Sequence, residues 1–211
     1  SGYVDGGQGL YGESRQLEQV FLECSRAKVE KLVFLSTVES QNYVSQYGKS
    51  GMITKKDYPA SGSFCAAQAE DMCRYFAEKT KMRTVVLWLP YLTGKLNDGN
   101  FLGNIFHNIY EKNKIFLPHH AEDRVDFLAF SDLAELLIRI TEETEDEGGS
   151  YFAVSGYRHT WGDLEEMLKL ISPDAQIVYE NYPDTIAWPD YPLELRKTYG
   201  FVPVEHVLED V

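Results

Sequence analysis

Lys31-Leu-Val-Phe-Leu-Ser-Thr37 and Thr84-Val-Val-Leu-Trp-Leu-Pro-Tyr91 decide the fold. Each is a short, unbroken apolar run, and the segment between them opens a helix at Ser63-Phe-Cys-Ala-Ala-Gln-Ala-Glu70. Continuous apolar strands bracketing a helix read as neighbouring parallel strands buried on both faces and joined by a right-handed crossover. In open α/β sheets, ligands bind in the crevice beyond the carboxyl ends of the strands. Here that crevice is lined by Ser36, Thr37, the start of the helix and Pro90 to Gly94.

Outward from this unit the chain keeps alternating helices and strands. Glu13 to Lys28 is helical, with Leu17, Val20, Phe21 and Cys24 at i, i+3, i+4, i+7 on one face. Glu39 to Ala60 is a polar loop rich in Ser, Tyr and Gly, a length that marks a functional loop more often than an idle one. The helix from Ser63 carries Cys65, Ala69, Met72, Cys73 and Phe76 along one stripe. Asn97 to Lys114 reads as a loop and helix, Ile115 to His120 as a short strand and turn, and Arg124 to Phe130 as a strand. Ser131 is expected to cap an apolar helix over Leu133 to Thr141. Glu142 to Glu147 reads as a solvated acidic turn. Tyr151 to Ser155 is a strand, and Thr160 caps a helix through Ile171 that turns Trp161, Leu164, Met167 and Leu168 inward.

Composition excludes several functions. The 211 residues are 44% hydrophobic and 13% aromatic, enough for one or two units with a real core. A net charge of -13 repels phosphate backbones and anionic lipid, so neither nucleic acid nor a membrane surface is expected as a partner. No apolar run approaches the roughly 18 residues of a spanning helix, and no charged-then-apolar leader is visible. Cys24, Cys65 and Cys73 are few, widely spaced and set in apolar periodic segments, as reduced core residues of a cytoplasmic protein are. His119 and His120, adjacent in a turn beside Glu122 and Asp123, diverge and lack an i, i+4 partner; they read as a solvated turn, with no metal.

Three motif matches fail on context. Gly6-Gly-Gln-Gly9-Leu-Tyr-Gly12 has phosphate-loop spacing, but such a turn follows a buried strand and only Ser1 to Asp5 precede it here. The strand after it ends in Ser36-Thr37 where a ribose-binding acid is required, so the run is read as a lead-in to a helix. Tyr75 and Lys79 lie four apart, but Tyr75 stands about 16 Å along the helix axis from Phe64 at 1.5 Å per residue. Tyr110 and Lys114 lie beyond the second strand.

The order of a strand ending in Ser-Thr, a helix, a strand ending in Leu-Pro-Tyr-Leu-Thr-Gly, and then Arg124-Val-Asp-Phe-Leu-Ala-Phe-Ser-Asp132 resembles the extended short-chain dehydrogenases/reductases, the NAD-dependent sugar-nucleotide epimerases and dehydratases. The tail, Leu195-Arg-Lys-Thr-Tyr-Gly-Phe-Val-Pro203, is similar to that family's closing signature. The resemblance covers the C-terminal two-thirds of a usual member. It implies a Rossmann-like α/β fold, a parallel sheet with flanking helices that is incomplete in its N-terminal half. Residues 1–94 would be a partial Rossmann-like core, and residues 95–211 would hold late core elements and a small α+β substrate-type subdomain.

The same resemblance assigns roles. Thr37 matches the family's catalytic Ser or Thr, and the Tyr-x-x-x-Lys pair falls on Phe64 and Gln68. A general acid/base needs a transferable proton and a suitable pKa. Phenylalanine has no such proton, and glutamine has no charge with which to tune a neighbour. The loop carrying Glu39 would lie over substrate, together with Pro90 and Tyr91, and Arg124 would contact a nucleotide diphosphate; an arginine near an aspartate on a strand is equally a structural ion pair. Leu89 replaces the arginine that usually precedes the family's proline.

The expectation is therefore a degenerate, non-catalytic relative that keeps a nucleotide-sugar or protein-binding surface. NAD(P) is expected only if a missing N-terminal half completes the site. The sheet edge left open would be covered by that half, by a partner or by a homodimer contact through the Glu13 and Ser63 helices. The alternatives are a fragment of an active enzyme, with a shifted base such as Tyr43 or Tyr47, and a purely structural interaction domain.

Overall fold

The computed structural model describes residues 9–38, 61–94, 101–180 and 188–204. In chain order these form α1 (Gly9–Arg26), β1 (Lys31–Thr37), α2 (Ser61–Lys79), β2 (Arg83–Leu89), β3 (Tyr91–Thr93), α3 (Phe101–Lys112), β4 (Lys114–Leu117), β5 (Arg124–Val125), β6 (Phe127–Ala129), α4 (Phe130–Glu142), β7 (Gly149–Phe152), β8 (His159–Thr160), α5 (Trp161–Ile171), β9 (Gln176–Tyr179) and α6 (Leu193–Tyr199). The chain divides into two compact units, residues 1–89 with 144–152 and residues 90–143 with 153–211.

The first unit is built on the two strands that open the sequence analysis. β1 and β2 run parallel in unbroken register from Lys31 opposite Arg83 to Thr37 opposite Leu89, as their apolar character demands. β7 extends the sheet in parallel on the far side of β2, with Val85 opposite Gly149. β2 is therefore central, and Val85, Val86 and Leu87 are buried. β1 is an edge among the described residues, and Leu35 remains 44% exposed.

α1 and α2 pack together in this unit. The Phe21 and Phe76 rings stack at 5.2 Å over Cys73, Met82 and Val86. Val20, expected on the same face, is exposed; it sits about 100° round the helix from Phe21, the residue on which the inward face is centred.

The acidic turn departs from expectation. Glu145 and Glu147 are exposed, but Asp146 is only 9% exposed. Its carboxylate pairs with Lys31, whose side chain is nearly buried, and with Arg83 at 3.8 Å. It also accepts the Gly148 N–H at 2.9 Å. The first residues of β1 and β2 are both cationic, and a shared carboxylate relieves their repulsion as the strands meet. The chain then enters β7 through Gly148, whose φ is +80° and whose Cβ, had it one, would lie 2.5 Å from the Thr84 carbonyl oxygen. Only glycine fits there.

The second unit holds small two-stranded pairings around one apolar core. β3 pairs with β6 and β4 with β9, both in parallel, while β5 and β8 are antiparallel. Ile115, Leu117, Val125, Phe127, Trp161, Leu164 and Leu168 form the core, with Tyr91, Phe101 and Met167 packed against it. Thr160 caps α5 as expected, in a reciprocal capping box with Asp163. α6 ends at Gly200 in the left-handed conformation.

Three expectations are corrected in this unit. α4 starts at Phe130 with Ala129 at its N-cap and no side-chain capping bond, so Ser131 sits inside the first turn. The strand expected over Arg124 to Phe130 is two strands broken at Asp126, because that buried carboxylate bonds to the chain at Ser155 and Gly156. His119 is buried, its ring 5.9 Å from that of Trp161, so only His120 stays in the solvated turn.

Asp146→Ala should cost about 3–5 kcal/mol, because it removes one half of a nearly buried ion pair with Lys31. Asp71→Ala breaks an exposed pair with Arg74 and should cost under about 1 kcal/mol. Urea denaturation measures both, and equal costs would refute the role given to Asp146.

Candidate ligand site

In the first unit, β1 ends with Ser36 buried and Thr37 half-buried. The Ser36 hydroxyl donates to the Glu70 carboxylate, and both groups are withdrawn from water. This bond fixes how α2 faces the carboxyl end of β1. At about 100° per residue, Gln68 is turned roughly 200° from Glu70, whereas Ala66, about one turn earlier, lies within about 40° of it. Phe64 lies in the first turn of α2. Neither Phe64 nor Gln68 is a phenol or an amine.

Cys73, also on α2, offers no nucleophile. Burial pushes the Cys73 thiol up to about 12, and the nearby Glu70 carboxylate adds to the shift. At neutral pH it stays protonated and inert.

In the second unit, Pro90 is buried and Tyr91 stacks into the aromatic core, 4.5 Å from Phe101 and 5.4 Å from Trp161. Arg124 makes the ion pair that its sequence neighbourhood suggested, but with Asp190 at 2.8 Å, far along the chain. Its guanidinium also donates to the carbonyls of Trp188 and Pro189, and the Trp188 indole N–H donates back to the Arg124 carbonyl at 2.9 Å. The segment from Trp188 to Asp190 is thus clamped onto β5. Nothing in the local sequence pairs residues so far apart; the one cue was an arginine in a largely apolar segment, where the nearby Asp126 was the obvious partner.

Asp126, between β5 and β6, is fully buried. It accepts the N–H groups of Ser155 at 2.8 Å and Gly156 at 3.1 Å. These bonds favour its charge, yet burial outweighs them and pushes the carboxyl up to about 6. Glu39, Tyr43 and Tyr47 lie outside the described residues.

The remaining motifs carry no site. Tyr75 and Tyr110 are exposed. Among the described residues no cluster of His, Cys, Asp and Glu suits a metal, and no helix is long and apolar enough to cross a membrane.

The raised Asp126 pKa sets a pH dependence. Between about pH 4 and pH 6 the folded protein holds a proton that the unfolded chain releases, so this group's contribution to stability falls as pH rises through that window. Asp126→Asn removes the titration. Urea unfolding at pH 4 and pH 7 should show the wild-type advantage over the variant shrinking by up to about 3 kcal/mol; a constant difference would contradict it.

The sequence profile of the NAD dependent epimerase/dehydratase family matches residues 13–154. No curated protein sequence matches the chain significantly. Among solved structures, an epimerase from the methanogen Methanothermobacter thermautotrophicus superposes with a TM-score of 0.74 at 15% identity, over 96% of this chain and 64% of its own. A dTDP-glucose 4,6-dehydratase from Bacillus anthracis, in complex with NAD, gives 0.74 at 15%, over 96% of this chain and 67% of its own. A UDP-glucuronic acid 4-epimerase from Bacillus cereus, with UDP-glucuronic acid and NAD, gives 0.69 at 15%, over 93% of this chain and 64% of its own. The chain thus spans about two thirds of the length of these structures, and at such identities they establish the Rossmann-like fold alone. With the profile match covering more than half of its residues, the chain belongs to the NAD dependent epimerase/dehydratase family.

Proposed function

We propose that this chain is a catalytically silent member of its family that keeps a nucleotide-sugar-binding half. The observation that carries the proposal is the bond from Ser36 to Glu70. It fixes how α2 faces the end of β1, and the family positions of the proton relay on that helix, Phe64 and Gln68, carry neither a phenol nor an amine. Thr37 remains able to hydrogen-bond a substrate hydroxyl, but a hydroxyl without an activating base is a weak acid and a weak nucleophile. On this reading Pro90, Tyr91, Arg124 and the loop of Glu39 belong to the substrate side, and this chain alone holds no NAD. The neighbours in complex with NAD support a cofactor only for a longer protein that completes the sheet.

The second reading, a piece of an active NAD(P)-dependent enzyme, is favoured by one fact: the chain spans only 64–67% of the neighbouring structures described above. A cytoplasmic setting accords with the free thiols of Cys24 and Cys73. A homodimer through α1 and α2 is supported by the exposed Val20, Leu22 and Tyr75 on those helices.

Titration calorimetry on the chain should give no heat with NAD or NADP and saturable binding with UDP-glucuronic acid. Phe64→Tyr with Gln68→Lys should create no turnover, because the cofactor site is still lacking. Micromolar NAD binding by the unmodified chain would transfer the assignment to the enzyme reading. Light scattering at high concentration should give twice the chain mass, and a strict monomer would remove the dimer.

A further inference from the structure

The N-terminal ends of β1 and β2 gather cations in a chain whose acids outnumber its bases by 33 to 20. An open cleft of about 700 Å³ lies there, between the turn that leaves α1 and the turn that leaves α2. Among the described residues lining it, Lys28, Lys79, Lys81 and Arg83 are cationic, and Glu30 is the one acid. Arg83 is already engaged by Asp146. Lys28, Lys79 and Lys81 form no ion pair among the described residues.

Like charges gathered without partners repel one another. The helix dipole accounts for part of the cluster, because Lys28 and Lys79 stand where the last carbonyls of α1 and α2 carry partial negative charge. It does not account for Lys81, which lies beyond α2. Lys28 adds an independent observation. α1 closes with the Val29 N–H donating to the Cys24 carbonyl at 2.9 Å and the Lys28 N–H donating to that of Ser25 at 3.1 Å. This closure sets Lys28 in the left-handed conformation, at φ +55°. Glycine is the usual residue there, because a Cβ is crowded by the backbone. A lysine in that position gives up stability to place an ammonium at the cleft.

We propose that this cleft binds a compact oxyanion with three or more negative charges, of the class of a triphosphate or a tricarboxylate.

The charge requirement follows from the three lysines that remain once Arg83 is paired. Ammonium groups are point charges with rotatable donors, so the cleft selects by charge and compactness, not by planar pairing. Its frame is preformed. The Arg83 N–H donates to the Glu30 carbonyl at 2.9 Å and ties the two turns together. The Thr80 hydroxyl donates to the Phe76 carbonyl at 2.7 Å and accepts the Met82 N–H at 3.1 Å. Binding therefore has to order little beyond the lysine side chains. Ser36 and Thr37 stand at the other end of β1, about 20 Å away at roughly 3.3 Å per residue, so this site does not depend on the function proposed above.

Calorimetry on the full chain at low salt tests the site, with inorganic tripolyphosphate, with citrate, and with acetate as the singly charged control. At least one of the two polyanions should bind wild type, and Lys28→Gly and Lys81→Ala should each weaken that binding about tenfold. Glu30→Gln should tighten it, since the variant removes the one opposing charge among the described lining residues. Lys28→Gly should also unfold at a higher urea concentration than wild type, because glycine relieves the left-handed strain. Stability gained together with binding lost separates a lysine kept for a ligand from one kept for the fold. Binding of tripolyphosphate alone assigns the site to phosphorylated ligands, and binding of citrate alone assigns it to polycarboxylates. No binding of either polyanion, acetate binding as tight as theirs, or binding indifferent to Lys28, Lys81 and Glu30 overturns the proposal.

Discussion

A carboxylate withdrawn from water must find its donors inside the protein, and four buried acids meet that demand by reaching to distant parts of the chain. Asp146 ties the turn before β7 to Lys31 and Arg83. Glu70 ties α2 to Ser36. Asp126 ties the β5–β6 break to Ser155 and Gly156, and Asp132 ties the start of α4 to the N–H of Val204. Apolar burial draws the strands and helices together without direction. These directional bonds then select one register and one helix phase from the arrangements that burial alone would tolerate.

This division of labour explains what could be read from residues alone. β1 and β2 were legible because buried parallel strands need unbroken apolar runs. α5 was legible because Thr160 and Asp163 make a local capping box. Asp146 was not, because a run of acids looks solvated and nothing local reveals that one of them turns inward toward cations far away in sequence. Asp126 broke a strand that its apolar neighbours predicted to be continuous. Ser131 misled for a related reason: a good capping residue one position too late is simply part of the helix.

The candidate site divides along the same line. Thr37 and Arg124 were legible as residue types in a recognisable order. The partner that holds Arg124, and the phase that sets α2 against β1, are long-range facts with no local signature. That Phe64 and Gln68 carry neither a phenol nor an amine needed no structure. The inert state of Cys73 did, since only packing shows that its thiol is enclosed beside a carboxylate.

The interleaved segments of the two units bear on how the protein is made. β2 emerges from the ribosome with β1 already available, but β7, its other neighbour, follows only after residues 90–143 have been synthesised. At typical rates that interval is on the order of seconds. Throughout it, the most apolar strand of the sheet offers an unpaired edge, an invitation to a neighbouring nascent chain. The ribosome-bound intermediate, more than the finished protein, is where this fold is open to misassembly and to chaperone capture.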